Sequence, residues 1–303
     1  MSDEETIMRM IRNSCFILIL SLLVAIMGIT GCGRNNDAAE QGVTESSLET
    51  QSVAETDATL TITAVKGGAA DAFVLMTDEH VTLIDTGLDK KADKLIELLN
   101  ELGVTRIDEL IITHFDKDHV GGADYILSEF EVGTVYTTYR SKDSDDITSY
   151  DTALSAAGLS ETVVKEITTF EADGVSYTIY PPRSQVYADS ISNNSSLVIK
   201  VSVGENSMLF AGDAEFERIR ELMGTPGLES VILKVPHHGR LAANSREFIE
   251  YISPEYAIIT SSKSEPADQE LLDILDTLGV TTYFTLDGNV TIVMTSYDVT
   301  VTQ

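Results

Sequence analysis

Three predicted strands in this chain end in His or Asp at their mouths, and that recurrence constrains the fold more than any other feature. Leu110-Ile111-Ile112 runs into Thr113-His114-Phe115-Asp116-Lys117-Asp118-His119-Val120-Gly121-Gly122, which sets two His and two Asp within six residues. Alternate side chains of an extended segment point the same way, so His114, Asp116 and Asp118 can converge while His119 closes from the other side. Phe210-Ala211-Gly212-Asp213-Ala214 ends a second strand, and Gly212 allows the backbone to approach a ligand closely. An Asp at a helix start is, alone, an ordinary cap. Val235-Pro236-His237-His238-Gly239 ends a third strand, and an adjacent His pair between Pro and Gly is poor core material. The loops offer seven candidate ligands, enough for a binuclear centre. Imidazole with carboxylate suits Zn, Mn or Fe, and a carboxylate-rich set shifts the preference toward harder ions.

The segments around these loops alternate strand and helix. Leu60–Val65, Ala72–Met76 and Val81–Asp85 read as strands, followed by a helix from Asp89 with an apolar face of Ala92, Leu95, Ile96, Leu99 and Leu102. Strands are expected at 134–138 and 163–170, with a helix near 149–157. The polar loop Tyr139 to Thr148 reads as a lid or variable loop. In the second half, strands at 175–180, 196–203, 207–211, 230–235, 256–260, 280–284, 290–295 and 299–302 alternate with helices to Met223 and at 245–251 and 268–278. Two halves of similar size predict two sheets packed face to face with helices outside, an α/β (α+β) class. His80, between Glu79 and Val81, reads as a solvated turn residue.

The first segment stands apart from that body. Arg9 and Arg12 precede an apolar stretch from Cys15 to Thr30, a secretory leader pattern slightly short for a membrane span. The acidic Ser2–Glu5 is atypical ahead of such a leader, which fits initiation at Met8 or Met10. The leader ends Ile29-Thr30-Gly31-Cys32, which resembles a bacterial lipobox and implies a diacylglyceryl group on Cys32. The expected domains are a leader at 1–32, a flexible linker at 33–58 rich in Asn, Ser, Thr, Glu and Gln, and a body at 59–303. As a flexible coil the linker reaches roughly 28 Å. The expected location is extracytoplasmic, lipid-anchored to the bacterial cell membrane.

Charge limits the partners. The formal net charge is −29, and from Thr59 onward 17 Lys and Arg face 40 Asp and Glu. No tight non-specific nucleic-acid binding is expected from such a surface. A negative body near anionic lipid is repelled, so the acyl anchor would supply the membrane attachment. A bound cation can still create local positive potential, so a phosphodiester substrate, small-molecule or nucleic-acid, is compatible with the charge.

The motif order resembles that of the metallo-β-lactamase-fold hydrolases, and most of all the hydrolase domain of ComEC-type competence proteins. The matching segments are Ile84-Asp85-Thr86-Gly87, His114-Phe-Asp116-Lys-Asp118-His119, Asn193-Asn194-Ser195-Ser196-Leu197-Val198, Met208–Asp213 and Lys234-Val-Pro-His237-His238-Gly239. The resemblance spans about residues 59 to 303 and implies a four-layer αβ/βα sandwich, with divalent metal, one or two ions of Zn or Mn, along one edge of the sheets. It implies His114 and Asp116 on a first ion, Asp118, His119 and His237 on a second, and Asp213 bridging. His238 replaces His237 if the loop is read one residue later. Asp118 and Asp213 would serve catalysis, and Asp85 would fix hydrogen bonds behind the ligand loop. Binuclear relatives supply a further His from a middle strand, but none lies between His119 and His237 here. Asn193, Asn194 or Ser195 falls at that position, and an amide oxygen binds more weakly than imidazole. Val65–Ala72 also departs from the glycine spacing usual in that turn, though Asp71-Ala72 is kept.

These readings imply metal-dependent hydrolysis, of phosphodiesters first. Small esters or amides of cell-wall or phosphocholine type are the second option, and a non-catalytic lipoprotein binding module with a degenerate metal site is the third. Lys263, Arg240 and Arg246 are candidate phosphate contacts.

Overall fold

The computed structural model describes residues 58–303. The leader with Cys32 and the linker up to residue 57 lie outside the described residues. No helix among the described residues is long and apolar enough to cross a membrane.

Fifteen strands are present among the described residues. They are β1 (Leu60–Ala64), β2 (Phe73–Met76), β3 (Val81–Ile84), β4 (Arg106–Ile112), β5 (Glu131–Thr137), β6 (Glu161–Val163), β7 (Thr168–Ala172) and β8 (Val175–Tyr180). The remainder are β9 (Val198–Val203), β10 (Asn206–Phe210), β11 (Ile232–Lys234), β12 (Tyr256–Ile259), β13 (Thr281–Phe284), β14 (Val290–Met294) and β15 (Val299–Thr302). One sheet runs β15-β14-β1-β2-β3-β4-β5-β6 and the other β13-β12-β11-β10-β9-β8-β7. Each has an antiparallel half and a parallel half, the latter formed by β3 to β6 and by β10 to β13.

Three apolar clusters define four layers. Ile62, Phe73, Leu75, Ile199, Val201, Phe210 and Ile292 pack between the sheets. On the outer face of the first sheet, Leu83, Leu110 and Ile112 meet helices 92–101, 123–129 and 145–156. Leu209, Leu233 and Ile259 do the same with helices 216–223, 245–252 and 269–277. Each fully buried Leu or Ile contributes about 1.5–3 kcal/mol of transfer free energy, so a sheet apolar on both faces must be covered on both. This is the αβ/βα sandwich expected from the sequence.

Several expectations are corrected. The predicted strand 163–170 is two strands in different sheets, β6 and β7, with the chain crossing between them beside the buried Val164. The ligand run is not extended throughout, because Lys117–Val120 forms a helical turn. The helix predicted near 149 begins at Asp145, where the Ser144 hydroxyl accepts the Ile147 N–H at 3.2 Å. That cap shortens the variable loop. Leu102 lies past the last turn of its helix and is exposed. His80 is no solvated residue: its side chain is 16% exposed and its Nε2 pairs with Glu109, with Asp108 Oδ2 3.7 Å from Nδ1.

Candidate metal centre

The parallel halves of the two sheets end along one edge, the usual place for sites in open α/β sheets. Asp85 follows β3, His114 follows β4, Asp213 follows β10, His238 follows β11 and Thr260 follows β12. The edges are stitched together by Leu197 N–H donating to Thr113 O at 2.9 Å, and by Thr260 Oγ1 donating to Asp71 Oδ1 at 2.6 Å.

Asp118, His119, Asp213 and His238 form one group of converging donor atoms. His238 Nε2 lies 3.1 Å from Asp118 Oδ2 and 3.3 Å from Asp213 Oδ2. His119 Nε2 lies 3.2 Å from Asp213 Oδ1, without hydrogen-bond geometry. His119 and His114 stack at 4.0 Å between ring centroids, and Nε2 of each is buried with no hydrogen-bond partner. A buried, unpartnered imidazole nitrogen is costly unless something occupies its lone pair or takes its proton. The donor set of two carboxylates and two imidazoles fits a divalent cation such as Zn or Mn.

A tight turn decides which histidine faces this group. His237 and His238 both have left-handed backbone, φ 48° and 54°, a conformation that costs a residue with a Cβ roughly 1–2 kcal/mol. The turn swings His238 inward and leaves His237 31% exposed, its Nδ1 3.2 Å from Glu215 Oε1 and its Nε2 4.0 Å from Asp213 Oδ2. The structure therefore brings His238, the alternative, into the group rather than His237. Gly212 makes the approach of β10 possible: at φ +53°, a Cβ there would sit 2.9 Å from Ser196 Cβ.

A ring of buried groups orients the ligands. Asp85 is fully buried and accepts from Thr113 N–H and Oγ1, both at 2.7 Å, and pairs with His119 Nδ1 at 2.7 Å. Fixing Nδ1 leaves His119 Nε2 aimed at the group. Thr260 Oγ1 does the same for His238 Nδ1 at 3.0 Å. Behind both, the fully buried Lys234 ammonium pairs with Asp71, donates to Gly212 O at 2.8 Å and lies 3.4 Å from Asp213 Oδ1. Sequence reasoning assigned no role to Lys234 and Thr260. The available signal was a lysine ending an apolar strand directly before a His pair.

Other candidates lie elsewhere. Asp116 is tied to Lys142 and to the Ser192 hydroxyl, with His114 Nε2 3.9 Å from its Oδ2. Asn194 spends its oxygen on the N–H groups of Glu215 and Arg218 and donates its amide to Asp189 O, which caps helix 216–223. Its side chain is thereby withdrawn from metal ligation. Arg240 pairs with Asp268 and Arg246 with Glu250, and both arginines are exposed. Lys263 is likewise exposed.

Electrostatics set the protonation states. Burial disfavours charge on His119 and His238, but Asp213 above all, with Asp85 and Asp71 around His119 and Asp118 and Asp71 around His238, raises both well above the usual histidine value. Burial pushes His114 down to about 4, so it is neutral at pH 7. Burial alone would raise Asp213, yet His119, His238 and Lys234 hold it well below the ordinary carboxylate range. Asp118 falls to about 2, where burial is outweighed by His238 and His119.

These shifts predict opposite pH trends with and without metal. In the metal-free protein, protonated His119 and His238 contribute stability that is complete below their unfolded pKa of about 6.5 and lost as pH climbs through their raised folded values. A cation requires both rings neutral, so its binding ejects protons and tightens with rising pH. Thermal unfolding with and without chelator between pH 6 and 9 should show the two trends diverging. Binding calorimetry in buffers of different ionisation heat should show proton release, and proton-independent binding would contradict the assignment.

A four-layer sandwich with His and Asp donors at the strand ends defines a class of metal-centred hydrolase folds. The chain belongs to the metallo-beta-lactamase superfamily, whose family model matches residues 65–261. It is 31% identical over 176 residues to ComE operon protein 3 of Bacillus subtilis (strain 168), covering 56% of this chain and 22% of that protein. It is 28% identical over 218 residues to competence protein ComA of Neisseria gonorrhoeae, covering 71% and 28%. The chain thus spans about a quarter of the length of these relatives. Among solved structures it is similar to the metallo-beta-lactamase fold protein YhfI from Bacillus subtilis, with TM-score 0.53 and 10% identity, covering 80% of this chain and 100% of that one. A mutant of the CmlA beta-hydroxylase gives TM-score 0.50 and 17% identity, covering 78% and 53%. These two likenesses concern the fold alone.

Proposed function

We propose that this protein is a metal-dependent hydrolase of phosphodiesters, held at the outer face of a bacterial membrane by a lipid on Cys32. The convergence of Asp118, His119, Asp213 and His238, with the Nε2 of His119 unpartnered, carries the catalytic part of this reading. A divalent ion held there supplies an electrophile and makes a water acidic enough to ionise near neutral pH. Asp118 is the accessible member, its side chain 23% exposed against 3% for Asp213. It is placed to orient an attacking water, while Asp213, fixed by buried partners, holds the group together. Similarity to competence proteins favours a phosphodiester over other substrates.

A small ester or amide substrate is the second reading, favoured by the net charge of −29, which repels polyanions. The discriminating experiment is to quantify bound metal in residues 58–303 and assay bis-p-nitrophenyl phosphate, single-stranded DNA and nitrocefin with Mn or Zn. Diester turnover should appear and fall about 100-fold or more in Asp118→Ala, in line with loss of a ligand that also positions the attacking water. Turnover of esters or amides alone would shift the assignment to the second reading. For the anchor, Cys32→Ser should move the protein from the detergent phase to the aqueous phase, and unchanged partitioning would count against lipidation.

A further inference from the structure

Resting on the metal-hydrolase reading, the geometry points to a one-ion centre in which the Lys142 ammonium takes the place of a second cation. Three candidate ligands are left outside the converging group: His237, which faces Glu215, and the pair His114 and Asp116. Among the described residues, neither member of that pair belongs to any set of three or more converging donors. Asp213, which would have to bridge, already has a buried counter-charge in Lys234. Its Oδ1 lies 3.2 Å from His119 and 3.4 Å from Lys234, and its Oδ2 lies 3.3 Å from His238.

The neighbouring segment brings no replacement ligand. Asn194 caps a helix, Ser195 Oγ donates to Ser192 O at 2.6 Å, and Ser196 Oγ donates to Asn193 O at 2.7 Å. Asn193 turns its amide to Glu215. Asp116 itself already has a counter-charge. Its Oδ1 receives both the ammonium of Lys142, from the loop ahead of helix 145–156, and the Ser192 hydroxyl. An ammonium supplies one positive charge and three donors in a compact head. It neutralises Asp116 and disfavours a divalent ion beside His114, so that side of the centre is charge-balanced without a second metal.

The test is the number of Mn²⁺ ions per full-length chain, by equilibrium dialysis with mass-spectrometric metal analysis and by electron paramagnetic resonance. Lys142 is 39% exposed, so Lys142→Met should fold normally. The wild type should bind one ion with an uncoupled Mn²⁺ spectrum. Lys142→Met should acquire a second at least tenfold more tightly than wild type, with a spin-coupled signal. Two coupled ions in the wild type would overturn the one-ion centre while leaving the hydrolase reading intact. One ion in both proteins, with no change in second-ion affinity, would overturn the role of Lys142. No ion in either would overturn the metal-dependent reading and this inference with it.

Discussion

His238→Ala is expected to lose its bound metal, whereas His237→Ala keeps it. His238 is 6% exposed and its Nε2 points between Asp118 and Asp213, at 3.1 and 3.3 Å. His237 faces Glu215 at the rim. Loss of a residue that merely orients a ligand lowers metal affinity about 10- to 100-fold, so loss of a ligand itself should exceed that. Both residues share the left-handed backbone, so the two alanine variants carry the same conformational cost and differ in the side chain removed. Metal content of the two purified variants, measured side by side, decides the matter. The reverse pattern would return the assignment to His237.

The second large effect concerns Lys234. Its ammonium is fully buried and is a cation that Asp71 and Asp213 share. Burial lowers its proton affinity, but Asp71 and Asp213 more than restore it, so the group stays charged. Lys234→Met keeps the volume and removes one counter-charge from two buried carboxylates. Breaking a buried pair in this way costs about 3–5 kcal/mol, a large part of the roughly 5–15 kcal/mol that holds a typical domain together. Urea unfolding of the metal-free protein should show a markedly lower midpoint. The double variant with Asp71→Asn should recover part of the loss, because it removes one of those carboxylate charges. An unchanged midpoint in Lys234→Met would mean that the cluster is solvated or rearranged.

Much of the centre was legible because chemistry and periodicity coincide in short windows. Leu110-Ile111-Ile112 followed by His and Asp reads as a buried strand opening into ligands, and the Gly212-Asp213 and His237-His238 loops repeat that form. The break between β6 and β7 was not legible, since residues 161–172 keep the composition of one continuous strand while the chain changes sheet. His80 was misread because its partners, Asp108 and Glu109, lie on the neighbouring strand, which local polarity does not reveal.

The sequence by itself determined the layered class, the strand-end character of the centre and the residues available to hold a cation, since these follow from apolar runs and donor types along the chain. Only the tertiary structure decided that His238 turns inward, that Asn194 is spent on a helix cap, and that Lys142 meets Asp116. Each of those outcomes depends on backbone torsions or on contacts between segments far apart in the chain. Local sequence preferences carry little information about such contacts, because their energies arise only once the two sheets have packed and excluded water from the edge they share.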